Sequence, residues 1–237
     1  MSVQKTVLLL GASGLTGGHC LDLLLADERV AEVRVLTRRP LGRAVDPASA
    51  RLVESCFERN LAEQVDAFAG VDVVICCLGT TIRKAGSQTA FRRVDFELCL
   101  EAAQLAKQQG VTAFAIISAV NANSRGISFY ARTKGELEDA LQALGLPQLI
   151  LAKPSLLLGE RDDRRPLETF AQLLSKPLAP LLAKLSPAST PMSARQLAQA
   201  LVNVSLQPQA DAVLVLRYPE LVRLARYEPN PPSRSKT

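Results

Sequence analysis

A tyrosine and a lysine stand four positions apart, Tyr130 and Lys134, inside the stretch SFYARTKGELE that spans 128–138. An ammonium beside a phenol favours the phenolate, and a phenol held near a reacting oxygen can give it a proton, so the pair has the makings of acid–base chemistry. The interval alone also occurs on ordinary helices, so its surroundings must decide. Counting back from Leu144, Leu141 and Leu137 in steps of three and four reaches Lys134 and then Tyr130, which turns both towards the core side of one helix. A buried ammonium is costly without partners, and a cofactor ribose with the tyrosine hydroxyl would supply them. The plain alternative is a structural helix with a tyrosine near its start.

Ser118 ends the apolar run TAFAIIS, twelve residues before Tyr130. It falls where the carboxyl end of a strand opens on a ligand crevice, and Gly11, Gly79-Thr80 and Pro154-Ser155 end other strand-like runs at the same edge. Ser118, Tyr130 and Lys134 are the candidate catalytic residues.

The elements that must position them begin with TVLLLGASGLTGG, where Gly11, Gly14 and Gly17 mark the passage from a first strand into a first helix. Glycines there permit a tight turn and let backbone N–H groups approach a pyrophosphate at the positive end of the helix dipole. The spacing is G-x-x-G-x-x-G; a loop of this kind is sometimes only a turn, but here it follows a strand and opens a helix. After the second strand, where an acid would receive the ribose hydroxyls of NAD, stand Arg38 and Arg39. Two guanidinium groups suit the 2′-phosphate of NADP, the alternative being two solvated loop arginines.

Strand-like runs at 6–10, 32–37, 50–55, 71–78, 112–118 and 147–152 alternate with helix-length stretches, and DAVLVLR at 211–217 offers a further strand. Several are apolar on both faces, as expected of a parallel sheet covered by helices on both sides, and an α/β, doubly wound, mostly parallel architecture follows. Helices are expected over Gly14–Ala26, Thr89–Gln109 and Ser193–Leu206, with a loop over Arg38–Ala50 and short helices through the proline-punctuated stretch 166–206. One domain over 1–227 is expected, its part 155–227 forming a small, mainly helical extension on the substrate side, followed by a disordered tail over 228–237.

Composition narrows the function. Among 237 residues, 48% are hydrophobic, yet no apolar run approaches the roughly 20 residues that span a bilayer, and the amino terminus passes into a strand without a small-residue cleavage site. A cytoplasmic location is expected, with no membrane partner. Five cysteines and a single histidine, His19, have no familiar zinc spacing, so no metal is expected. A net charge of +5, dispersed or interleaved with acids, and 4% aromatic residues without tryptophan speak against nucleic acid. A small-molecule substrate is expected, in a monomer or homodimer with room for a protein partner.

The glycine loop and the Ser118, Tyr130 and Lys134 set resemble the short-chain dehydrogenase/reductase superfamily. More narrowly, ICCLGTT at 75–81, KAG at 84–86, FRRVDFE at 91–97, FYARTKGELE at 129–138 and KPSLLLGERDDRRPLE at 153–168 resemble the atypical short-chain reductases related to the Tat-interacting oxidoreductase-like protein, over about Val3 to Leu206. The resemblance implies a Rossmann sheet with NADPH lying over Gly11, Ser13, Gly14, Leu15, Thr16 and Gly17. It puts Arg38 at the 2′-phosphate, Leu78 and Gly79 near the adenosine ribose, Lys134 on the nicotinamide ribose, and Pro154 to Leu157 beside the nicotinamide; Thr80, with Thr81, Arg83 and Lys84, could close over the cofactor, the alternative being a plain polar loop after a strand. It further implies that Tyr130 donates the proton in carbonyl reduction, that Ser118 orients the carbonyl oxygen, and that Lys134 lowers the tyrosine's pKa. Three positions depart from the pattern: Glu54-Ser55-Cys56-Phe57 where an Asp usually meets the adenine, Lys153-Pro154-Ser155 for Arg-Pro-Gly, and Ser118-Ala119 for Ser-Ser. Two functions follow, an NADP-dependent oxidoreductase acting on a small carbonyl compound, and an NADP(H)-binding regulatory or redox-sensing protein with vestigial catalysis. A sugar-nucleotide epimerase would need a larger carboxyl-terminal domain.

Overall fold

In the computed structural model, which describes residues 4–42, 51–58, 60–155, 157–158 and 192–227, the seven expected runs pair as strands β1 (Lys5–Leu10), β2 (Val30–Thr37), β3 (Leu52–Cys56), β4 (Val73–Cys76), β5 (Ala113–Ile117), β6 (Leu149–Ala152) and β9 (Val213–Leu216). Two short strands, β7 (Leu157–Leu158) and β8 (Met192–Ser193), were not expected, and β8 falls in the stretch 166–206 read as helical. Seven form one sheet in the order β3-β2-β1-β4-β5-β6-β9, and β7 pairs separately with β8. Every pairing is parallel. The order reverses between β1 and β4, which opens a crevice at their carboxyl ends. Register brings Leu10 level with both Leu36 and Cys76, so Gly11, Thr37 and Cys77 follow side by side at the carboxyl edge.

Helices cover both faces. They are α1 (Leu15–Ala26), α2 (Ile82–Ala85), α3 (Gln88–Arg92), α4 (Leu98–Gln108), α5 (Phe129–Ala143), α6 (Ala194–Ser205) and α7 (Tyr218–Ala225), with a 3-10 segment at Ala62–Phe68 and a π turn at Arg93–Glu97. One core packs Val7 and Leu9 with Cys20, Leu21 and Leu24 of α1 and Leu197 and Leu201 of α6. The other packs Leu8 and Leu10 with Ala102 and Ala106 of α4 and Leu137 and Leu141 of α5. Alternate residues of β1 thus enter opposite layers, as the period of two in a strand requires.

Several expectations are refined. The first helix starts at Leu15 with extended Gly14 as its cap. The long crossover expected over Thr89–Gln109 starts at Gln88 and is broken by the π turn. Ser193 caps α6 through a capping box with Gln196. Helix α7, absent from the sequence expectations, docks on α6, where Asn203 Nδ2 donates to the carbonyls of Leu224 and Tyr227 at 2.8 Å each. Most of the loop expected over Arg38–Ala50, residues 166–191 of the stretch 166–206 expected to form short helices, and the tail 228–237 lie outside the described residues.

Candidate functional site

Glycine is required at the turn out of β1. Gly11 has φ +81°, and a Cβ there would lie 2.6 Å from the Cys77 carbonyl oxygen; at Gly17 a Cβ would lie 2.1 Å from the Gly11 carbonyl oxygen. Gly11 therefore lets β1 and β4 run together at the crevice, and Gly17 lets α1 sit directly on the turn. Thr16 is buried, Leu15 half-buried and Ser13 exposed. The first turn of α1 points its free N–H groups at whatever occupies the crevice.

That crevice is a cleft of about 370 Å³ lined by Gly11, Ser13, Gly14, Thr37, Arg38, Leu78, Gly79 and Thr80 among others. The sequence thus named seven of these. Arg39 is exposed and is not part of the lining, so the two arginines are not equivalent. Leu36, Phe57, Cys77, Lys84, Ala85, Ala90, Val94 and Leu98 complete the wall; of these the sequence suggested a cofactor contact for Lys84, in the polar loop after β4, and not for the apolar residues. Phe57, buried and held by its N–H to Thr37 O at 2.9 Å, gives an apolar face where the usual Asp is missing. Arg38 and Lys84 both reach the cleft, and among the described residues neither forms an ion pair. A larger open depression of about 570 Å³ lies beside β2 and β3. Its one arginine, Arg34, is already held by Glu32 and by the carbonyls of Ala67 and Ala69, and no candidate residue lines it.

The leucine stripe does turn Lys134 inward. It is 4% exposed, and its Nζ lies 2.8 Å from Oδ1 of Asp95, itself 1% exposed. The other oxygen, Oδ2, accepts from the N–H of Thr80 at 2.8 Å. Asp95 stands on the π turn, and the sequence did not single it out. One carboxylate therefore ties the loop after β4, which lines the cleft, to the lysine of α5. Burial opposes the charge on Lys134, but Asp95, helped by Cys99 and Tyr130, holds the ammonium more firmly protonated than in an ordinary lysine.

Tyr130, one turn before Lys134, packs its ring 5.8 Å from that of Phe91 and remains 36% exposed. Its pKa is raised from the ordinary tyrosine value, first by burial against its neighbours, with Lys134 pulling it down and Asp95 pushing it up. The expected lowering by Lys134 is thus present and outweighed. Ser118 belongs to a second buried centre one turn further along α5: its hydroxyl donates to Glu138 Oε1, and Glu138 Oε2 accepts from Lys153 Nζ at 2.7 Å. With its proton engaged by Glu138, Ser118 has lone pairs rather than a donor left to offer, and it is not among the residues lining the cleft. No hydrogen bond joins Ser118 to Tyr130 among the described residues. Pro154 and Ser155 are buried next to Lys153, and Leu157 has only its backbone in β7 described.

The loop from β5 to α5 is pressed onto the helix. A Cβ at Gly135 would come within 2.1 Å of the Ser124 nitrogen, and Asn123 N donates to Ala131 O at 3.0 Å. Glycine inside a helix costs about 0.5–1 kcal/mol, less than the roughly 1.5–3 kcal/mol from burying either Leu137 or Leu141. The helix therefore tolerates Gly135, and the loop gains its seat beside Tyr130.

Comparison with known proteins agrees with this geometry. A family model described as NAD(P)H-binding matches residues 11–175. Protein HTATIP2 of Rattus norvegicus is 37% identical over 172 residues, 71% of this chain and 69% of that protein. Protein FMP52, mitochondrial, of Candida albicans is 29% identical over 224 residues, 92% of this chain and 96% of that protein. Among solved structures, WbmH of Bordetella bronchiseptica in complex with NAD+ has a TM-score of 0.64 at 19% identity, covering 91% of this chain and 75% of that one; at that identity the likeness is one of fold. The cytoplasmic location expected from the sequence is corrected by the fungal relatives, which are named mitochondrial. The physical reason is simple: the lack of a helix able to cross a membrane among the described residues says nothing about compartment.

Proposed function

Because this chain belongs to the NAD(P)H-binding family, we propose that it is an oxidoreductase of the atypical short-chain dehydrogenase type that uses NADP and reduces a small carbonyl substrate, with Tyr130 as proton donor. The observation that carries this reading is the position of Lys134, an ammonium buried on Asp95 one helical turn from Tyr130 and tied through Asp95 to a loop of the cofactor cleft. The residues present fit the dinucleotide, since the cradle at Gly11 and Gly17 has no room for a Cβ and two cations, Arg38 and Lys84, reach the cleft. Arg38 with Lys84 would hold the 2′-phosphate, Phe57 would border the adenine, and the first turn of α1 would receive the pyrophosphate. Lys134, Pro154 and Leu157 would border the nicotinamide end.

When bound, the cofactor supplies the hydride. The protein's share is acid–base and orienting work. Tyr130, protonated at neutral pH, gives its phenolic proton to the substrate oxygen. Among the described residues Lys134 is held by Asp95, and its remaining N–H donors would hold ribose hydroxyls and steady the phenolate that the transfer leaves. Ser118 accepts a hydrogen bond rather than giving one while Glu138 holds its proton. The names of the fungal relatives support a mitochondrial location for this chain as well.

A second reading, a cofactor-binding regulatory or redox-sensing protein with vestigial catalysis, draws its support from that same donation of Ser118 to Glu138, which removes one donor from the carbonyl. The test is to follow NADPH oxidation with a panel of small aldehydes and ketones. Turnover selects the reductase; tight NADPH binding without turnover across the panel selects the regulator.

A further inference from the structure

We propose that Glu54 is a positioning residue for the choice of cofactor: its carboxylate closes the loop that carries Arg38, so that the guanidinium is set for a 2′-phosphate before any dinucleotide arrives. The proposal rests on the reading of Arg38 as the partner of that phosphate and deepens it. Glu54 Oε1 accepts from the backbone N–H of Leu41 at 2.7 Å and from the Thr37 hydroxyl at 3.3 Å. One oxygen thereby holds both ends of the segment 37–41, with Arg38, Arg39 and Pro40 between the two anchors. Register explains why an acid on β3 reaches this loop. Glu54 lies level with Val35, and Thr37 follows two residues on, on the same face of the sheet.

Each anchor is also fixed from elsewhere. Thr37 is buried, lines the cofactor cleft, and accepts at its carbonyl from the Phe57 N–H at 2.9 Å. Leu41 packs its side chain against the core that holds α1. Between the anchors little freedom is left, because proline fixes its own φ and keeps the residue before it extended. A long side chain on a free loop must be immobilised when it binds, which weakens binding; on a closed loop much of that ordering is complete once the chain has folded. Among the described residues Glu54 forms no ion pair with Arg38. The carboxylate therefore orders the backbone and leaves the guanidinium to the phosphate. NADH has no 2′-phosphate for Arg38 to hold, so the benefit falls on NADPH.

The test separates reach from charge and needs no substrate. Dissociation constants for NADPH and NADH are measured for wild type, Arg38→Ala, Glu54→Gln and Glu54→Asp. Glutamine keeps an acceptor oxygen at the same reach and loses the charge, whereas aspartate keeps the charge and stops one methylene short of Leu41. The expected result is a preference for NADPH near that of wild type in Glu54→Gln and a fall of roughly threefold to tenfold in Glu54→Asp. Exchange of the Leu41 amide with deuterium in cofactor-free protein should be slow in wild type and Glu54→Gln and fast in Glu54→Asp. A preference kept by Glu54→Asp, or lost by Glu54→Gln, overturns the proposal. If Glu54→Asp does not fold, the wild-type amide decides, since fast exchange at Leu41 in the folded protein also overturns it. Wild type with no preference for NADPH, or Arg38→Ala with the preference intact, would remove the phosphate reading and this proposal with it. A preference that needs Arg38 yet survives Glu54→Asp removes this proposal alone.

Discussion

Asp95 Oδ1 lies 2.8 Å from Lys134 Nζ, and the two side chains are 2% and 5% exposed, too enclosed for water to replace either partner. Removing one partner of such a pair strands the other charge, which costs about 3–5 kcal/mol. Lys134→Met is therefore expected to lower unfolding stability by that amount in urea titrations, whereas Lys134→Met with Asp95→Leu should lose clearly less than the sum of the single changes. A double change as damaging as that sum would mean the pair is not coupled.

The alkaline limb of stability follows from the same pair. The folded pKa of Lys134 is raised above its ordinary value of 10.5, so its contribution is fully present below about 10.5 and is lost as pH rises through the folded value. Thermal unfolding above that point should show wild type losing its advantage over Lys134→Met as the pH climbs. A stability gap that stays constant through the strongly alkaline range would contradict this.

At the glycine turn the expected effect is steric. Gly17→Ala would set a Cβ 2.1 Å from the Gly11 carbonyl oxygen, which lies in backbone and cannot swing aside. A loss of roughly 1–3 kcal/mol is expected from overpacking, with weakened binding of both NADPH and NADH. Paired denaturation and cofactor titrations check it; normal binding of both cofactors by the variant would show that α1 need not sit on the turn.

Arg38 and Lys84 should act on one cofactor and not the other. Charge-assisted hydrogen bonds to a phosphate contribute about 1.5–3 kcal/mol, so Arg38→Ala should weaken NADPH roughly tenfold to a hundredfold and barely change NADH. Lys84→Ala, at another residue lining the same cleft, should do the same to a smaller degree. Equal losses for the two cofactors would remove the 2′-phosphate from this place.

The strands were legible because a parallel sheet buries both faces, which turns each strand into an apolar run; Val73–Cys76 and Leu149–Ala152 are buried at every position. Lys134 was legible through the leucines that follow it. Asp95 was missed because FRRVDFE, with charges at four of seven positions, looks like a solvated helix surface. The backward count that found Lys134 would have found it too: from buried Ala106 through Ala102 and Leu98 the steps lead to Asp95 and then Phe91, both buried. Glu138 lies one turn beyond Lys134 on the same stripe. Its pairing with Lys153, fifteen residues away in sequence, depends on how α5 lies on β6 and has no local signal. Phe57 escaped for a different reason, since the position was searched for an acid and an apolar wall carries no motif.

The second buried centre makes its own demand. Glu138→Ala would leave the Lys153 ammonium and the Ser118 hydroxyl without their shared acceptor, and a stability loss of about 3–5 kcal/mol is expected. Glu138→Gln should lose less, because the amide oxygen still accepts a hydrogen bond. Denaturation of the two variants side by side is the check, and equal losses would show that the charge and not the acceptor is what matters there.

The central claim is that Tyr130 still gives a proton to a reduced carbonyl. It is tested most directly by measuring NADPH consumption over a panel of small aldehydes and ketones with wild type and Tyr130→Phe, each first shown to bind NADPH. The account predicts turnover by wild type with at least one carbonyl, a plateau in kcat/KM that extends past the ordinary tyrosine range because the Tyr130 pKa is raised, and a loss of roughly a hundredfold to ten-thousandfold in Tyr130→Phe. Equal turnover by the two proteins, or tight NADPH binding with none by either, would contradict it.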